Sequence, residues 1–115
     1  MIKPEIWGRD YIFFAKYIDN QIIMEYKIIN NEQQLQLELT LDGEMGVLQY
    51  RFLDNKIWLM HTEVPKSMEG KGAASALAHY AFEWAKSQNK KVKVVCPFVA
   101  IYLKRHPEYE SVVDH

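Results

Sequence analysis

The stretch MHTEVPKSMEGKGAASALAHYAFEWAK, residues 60–86, decides the fold. Its first residues read as the end of a strand, which Pro65 stops because proline has no N–H to give a ladder. Two glycines, Gly70 and Gly72, then open a long alanine-rich segment. There Ala73, Leu77, Tyr80, Ala81 and Trp84 share one helical face, and Ser75, His79, Glu83 and Lys86 the other. The spacing predicts an amphipathic helix laid on a sheet. A strand feeding a helix through glycines is the first half of a β-α-β crossover.

Upstream, Leu35, Leu37, Leu39 and Leu41 alternate with Gln36, Glu38 and Thr40, the period of a half-buried strand. Asp42-Gly43 and Asp54-Asn55 mark turns, so residues 45–52 and 57–63 read as two more strands of an antiparallel meander. Downstream, residues 92–96 form a fourth strand, with Cys96 at its end and Pro97 as its stop. Phe98, Ile101, Tyr102 and Arg105 suit one face of a short helix that His106-Pro107 ends. The expected class is α/β (α+β), a mixed sheet with a three-strand meander, a β-α-β crossover and a C-terminal helix. A right-handed crossover makes the third and fourth strands parallel neighbours. This domain spans residues 29–115. Residues 1–28 are an N-terminal extension without clear periodicity, either an added element packed through Trp7, Phe13 and Phe14 or a segment preceding a start at Met24.

The 115 residues are 49% hydrophobic and 25% charged, the balance of one folded domain rather than of a disordered chain. A net charge of -1 leaves no global field to steer the protein onto nucleic acid or an anionic membrane, so any bound anion must be held locally. The lysines around Asn89 do not change that balance. The single cysteine, Cys96, excludes an internal disulfide and a cysteine-based zinc site, and no metal is expected. The apolar run at residues 11–15 is shorter than the roughly 7 to 15 residues of a signal peptide's apolar region. Cytoplasm is the expected compartment.

The glycine loop has two readings. It is either a tight turn or an anion site, since the first turn of a helix carries unpaired N–H groups and glycines let a phosphate approach them. Lys66 and Lys71 add local positive charge. The spacing of a Walker loop is absent. A Rossmann fingerprint is absent too, because Ser75 stands at the third glycine position.

The runs HTEVPKSMEGKGAASAL and KVVCPFVAIYLKRHPEY, at their separation in this chain, resemble the small, minimal branch of the GNAT superfamily of acetyl-CoA-dependent N-acetyltransferases. The resemblance covers residues 29–113. It implies a cofactor site built from Gly70, Lys71, Gly72, Ala73 and Ala74, whose backbone amides hold the coenzyme A pyrophosphate. Glu69, Gly72 and Ala74 fall at the motif's Arg or Gln, its Gly, and its Gly or Ala. Glu69 departs from that pattern. The resemblance also implies that the third strand's free backbone, near Thr62 and Val64, pairs with the pantetheine arm and polarises the thioester carbonyl.

Acetyl transfer to an amine needs a base, because a lysine amine with a pKa of about 10.4 is neutral only about once in several thousand molecules at pH 7. His61 and Glu63 share one face of the third strand by alternation, and either suits the role. Against this stand a hydrogen-bonded strand histidine and a surface carboxylate. Tyr102 occupies the region where the superfamily often carries a tyrosine that protonates the leaving thiolate, although a tyrosine on a helix face also suits a core. Cys96 is either a nucleophile activated by a neighbour such as His61 or a small buried residue. Lys104, Arg105 and His106 either meet the coenzyme's adenosine phosphates or form a solvated helix end.

The function expected is acetyl-CoA-dependent N-acetylation, by direct transfer, of an amine on a small molecule or a protein. Neither nucleic acid nor membrane is an expected partner. The alternative is a non-catalytic coenzyme A-binding or protein-interaction module on the same scaffold.

Overall fold

The computed structural model describes residues 11–18 and 21–115, with side chains from Tyr26 onward. Among the described residues one sheet has the order β1-β2-β3-β4-β5-β6. Its strands are β1 (Tyr11–Ile18), β2 (Gln21–Asn31), β3 (Gln36–Leu41), β4 (Glu44–Leu53), β5 (Lys56–Glu63) and β6 (Lys91–Val94). Neighbours are antiparallel as far as β5, and β5 pairs with β6 in parallel. Helix α1 (Ala73–Ser87) makes the crossover between them, and α2 (Pro97–Arg105) follows β6. The mixed α/β class, the meander over β3 to β5 and the parallel pair at the crossover agree with the patterning.

The meander has further strands ahead of it. β2 pairs with β3 from Ile28↔Leu39 to Asn31↔Gln36, so the line drawn after residue 28 falls inside a strand. Tyr26 and Ile28 are buried on the same face as Leu37 and Leu39. Two residues hide this alternation in the sequence. Ile29 is apolar yet exposed, and Asn30 is polar yet buried, where it accepts a hydrogen bond of 2.6 Å from the Tyr50 hydroxyl. Met24 lies within β2, paired with Lys16. The packing expected of Trp7, Phe13 and Phe14 concerns side chains outside the described residues.

Two strand ends correct the sequence reading. Leu35 precedes β3, in a turn with φ 56, exposed rather than inward. Its carbonyl accepts the Tyr50 N–H, which anchors the turn instead of extending the ladder. Cys96 lies beyond β6 and is the residue from which α2 starts. The N–H groups of Val95 and Cys96 both donate to the Leu59 carbonyl at 3.0 Å, so the regular register ends at Val94.

A bulge sets the faces of β5. Tyr50 pairs with Leu59 and Gln49 with His61, which leaves Met60 as an extra residue. Strict alternation from Ile57 and Leu59 would carry His61 and Glu63 onto the buried face. The extra residue reverses this: Thr62 joins Leu48 on the inner side, and His61 and Glu63 come out beside Gln49 and Val47.

Helix α1 packs on the inner face across β2 to β6. Ala73, Ala76, Ala81 and Ala85 bring its backbone close to the sheet, while Leu77 and Trp84 fill the space above Leu48, Tyr50 and Leu59. Trp84 lies 4.9 Å from Tyr50 between ring centroids, and Phe52 packs edge-on against both rings. Such aromatic pairs add about 0.5–1.5 kcal/mol beyond their buried area. The other face carries Lys27, Ile29, Glu38, Gln49 and Arg51, exposed or half-exposed.

Leu59 is fully buried at the centre of this arrangement. Leu59→Ala is expected to destabilise the protein by about 2–5 kcal/mol through lost burial and a residual cavity, read as a lowered urea midpoint.

Candidate functional site

The site begins where β5 and β6 part. They pair from Lys56↔Lys91 to Leu59↔Val94, after which the chain following β6 turns into α2. β5 continues to Glu63, paired with β4 alone among the described residues. Its second edge is therefore open over residues 60–63. Beside that opening lies a cleft of about 420 Å³. Val64 and Met68 wall it on the β5 side, Gly72, Ala74 and Ser75 at the start of α1, and Phe98 at the start of α2.

The start of α1 is built to leave donors unused. Gly72 is the N-cap with φ 81 and ψ 12, and no side chain caps it. The first turn holds no acidic residue. The first intrahelical bond comes from the Ala76 N–H to the Gly72 carbonyl at 2.9 Å, so the amides of Ala73, Ala74 and Ser75 precede the ladder. A helix of this length without a capping acid presents partial positive charge at this end. Gly70 also has a positive φ of 80, and the short 3-10 turn Lys66–Met68 leads into it. Lys66 and Lys71 are exposed around the loop. Glu69 is exposed as well and lines the cleft, so a carboxylate stands at its rim.

The acid and base candidates divide between two faces. His61 and Glu63 approach to 3.7 Å on the outer side of β5, with side chains 58% and 76% exposed. Cys96 is buried and lies 3.3 Å from the Thr62 hydroxyl on the inner side. Its polar neighbour is thus Thr62. His61, the activator named from the sequence, stands across the strand because of the Met60 bulge.

Tyr102 lies one helical turn beyond Phe98, and His79 one turn beyond Ser75, on the two helices that wall the cleft. The Tyr102 hydroxyl lies 3.5 Å from His79 Nδ1, and the Tyr109 hydroxyl lies 3.2 Å from the same nitrogen. Tyr109 also donates to the Glu83 carboxylate. The Tyr102 ring stacks on His106 at 4.0 Å, and His106 Nδ1 lies 3.0 Å from the Tyr102 carbonyl. Hence the polar side of α1 that carries His79 and Glu83 is no solvated face. The C-terminal segment partly covers it with tyrosines whose hydroxyls pair with these half-buried groups.

Burial raises the Tyr102 phenol above its ordinary value, with the carboxylates of Glu108 and Glu83 adding to it. Tyr109 is raised in the same way, first by burial and then by its bond to Glu83. Burial holds His79 below the usual imidazole value; the Glu83 carboxylate opposes this, while His106 and Lys86 reinforce it.

Residues 36–112 match the family described as GCN5-related N-acetyl-transferase. The chain belongs to that family. It is similar to Protein NATD1 of Mus musculus, at 30% identity over 84 residues that cover 70% of this chain and 76% of that protein. The Homo sapiens protein of the same name is 29% identical over 84 residues, covering 70% and 74%. For that of Danio rerio the figures are 27% over 94 residues, 77% and 86%. The region shared with the GCN5-related family starts at β3 and ends in the last 3-10 segment, so it contains the glycine loop, the open edge of β5 and the His79 cluster.

Sequence reasoning missed Met68, Ser75 and Phe98 as walls of the cleft, and the joining of His79 to Tyr109. Met68 sits in a connection with no period to read, and Tyr109 follows a proline that ends the predicted helix. Nothing local signals either contact.

The His79 cluster makes stability depend on pH. The free imidazole value is 6.5, and burial lowers it in the folded protein, so the unfolded chain binds more protons below that point. This contribution is whole above pH 6.5 and is lost as the pH falls through the folded value. The melting temperature is expected to fall as the pH drops below about 6.5, and less steeply in His79→Gln, by calorimetry in matched buffers.

Proposed function

We propose that this protein is an acetyl-CoA-dependent N-acetyltransferase whose cleft holds the coenzyme's pyrophosphate on the α1 amides. The observation carrying this reading is the helix start at Gly72, which has no capping side chain and no first-turn acid and opens into a cleft beside an unpaired strand edge. Such an end attracts anions, and the open edge of β5 offers backbone groups to an extended amide-bearing ligand. The compartment that suits this reading is the cytoplasm.

Acetyl-CoA supplies an activated acyl group. The amine nitrogen of the acceptor attacks the thioester carbonyl, the carbon–sulfur bond breaks, and the electron pair leaves on sulfur. On this reading Gly72, Ala73 and Ala74 bind the diphosphate, with Gly70 and Lys71 shaping the approach. The backbone near Thr62 and Val64 orients the arm and polarises the carbonyl. His61 or Glu63 takes the amine's proton from the outer face of β5, where an acceptor has room to enter. Their exposure suits an acceptor that itself excludes water when bound. Tyr102 stays protonated, as a donor to a thiolate must, and its hydroxyl lies beside His79 rather than among the residues walling the cleft. Cys96, buried against Thr62, suits direct transfer better than a covalent acetyl-enzyme.

Acetyl-CoA at about 100 times its dissociation constant is expected to add roughly 2.7 kcal/mol of stability, read as a raised melting temperature. No shift at millimolar ligand would sink the cofactor claim. Ala74→Asp separates binding from folding, because a carboxylate in the first turn stabilises the empty helix while repelling the diphosphate. It is expected to melt higher than the native protein and to bind coenzyme A more weakly by calorimetry.

Glu63→Gln and His61→Ala test the chemistry. With an amine found by screening for coenzyme A release, at least one should lower turnover by about 100-fold while leaving the thermal shift intact. Coenzyme A binding without release, for every amine class screened, would favour the non-catalytic module.

A further inference from the structure

The Lys71–Gly72 peptide decides what the anion site offers. A peptide is a rigid plane, and in the trans form its C=O and N–H point in opposite directions. Rotating that plane by half a turn would replace an N–H at the cleft by a carbonyl, turning attraction for a phosphate into repulsion. Local sterics do not prevent this. Such a flip changes ψ of Lys71 and φ of Gly72, and glycine adopts φ of either sign at little cost. The observed φ of 81 at Gly72 therefore needs a tertiary cause.

That cause is Tyr26. Its hydroxyl donates a hydrogen bond to the Lys71 carbonyl, the oxygen of this same peptide, across a separation of 45 residues. Tyr26 is 1% exposed, in β2 beneath the start of α1, so its ring cannot swing away to release the bond. Burial raises its phenol above the ordinary value, which keeps the hydroxyl a donor. With the carbonyl drawn toward the core and no cis peptide in the described chain, the Gly72 N–H must point away from the core. Gly72 lines the cleft.

We infer that Tyr26 is a positioning residue for coenzyme binding, its buried hydroxyl holding the Lys71–Gly72 peptide so that the Gly72 amide faces the anion. The inference rests on the acetyl-CoA reading of the cleft. It also links the site to a strand outside the matched residues 36–112, so β2 contributes to the ligand's affinity as well as to the sheet.

The test compares native protein with Tyr26→Phe, which keeps the ring in the core and removes only the hydroxyl. Coenzyme A affinity is measured by calorimetry and the backbone amides by 15N-resolved NMR. In the variant, affinity is expected to fall about ten-fold, roughly 1.4 kcal/mol. The Gly72 amide resonance of the ligand-free variant is expected to shift or broaden, while the Trp84 indole resonance in the distant half of α1 stays in place. A Tyr26→Phe protein that binds coenzyme A as tightly as the native one overturns the positioning role and leaves the cofactor reading standing. One that loses its dispersed amide spectrum also overturns it, because the hydroxyl would then be holding the fold rather than one peptide. Native protein that binds no coenzyme A removes the cofactor reading and the positioning role with it.

Discussion

The Leu59 carbonyl, shared by the N–H groups of Val95 and Cys96, is where the parallel ladder between β5 and β6 stops. One oxygen receiving two consecutive amides cannot continue a register, so the chain after β6 turns into α2 while β5 runs on. The extra residue Met60 follows immediately and reverses the faces of the rest of β5. The open edge, the outward turn of His61 and Glu63, and the inward turn of Thr62 toward Cys96 all stem from these two adjacent irregularities.

The cleft results from the same divergence. α1 and α2 start from positions that the splay separates, and Ser75 and Phe98 stand on either side of the gap. One turn further along both helices, His79 and Tyr102 close it. Below them, Tyr109 and Glu83 continue a chain of polar contacts through what would otherwise be an apolar seam. Phe82 stacks on Tyr109 at 4.8 Å and packs with Tyr102, so the hydroxyls are held by ring packing as well as by their partners. A network so buried is stable only when its members are satisfied, and here each hydroxyl has a polar partner.

The start of α1 is supported by a strand distant from it in sequence. Gly70 and Gly72 supply conformations that other residues resist, but that freedom leaves the orientation of the peptide between Lys71 and Gly72 undecided. A tyrosine on β2 settles it. Glycine's freedom allows a close approach, and a contact from a rigid element selects one conformation.

The sequence by itself determined the elements with a strong period. The alternation around Leu37 and Leu39 announced a half-buried strand, though not where it starts, the alanine-rich face of α1 announced a helix on a sheet, and the crossover required parallel neighbours. These patterns are legible because burial on one face imposes a period that each residue reports locally. The glycine loop was legible in the same way, as two positions without side chains before a helix. Tertiary structure alone decided the rest. A single extra residue at Met60 leaves no mark in the composition yet changes which face His61 occupies. Ile29 and Asn30 masked the inner face of β2, because one is apolar at the surface and the other is paired within the core. The contacts of Tyr26 with Lys71 and of His79 with Tyr109 join residues 45 and 30 positions apart. No local period can encode such a contact, since its energy exists only once the sheet and helices have brought the two groups together.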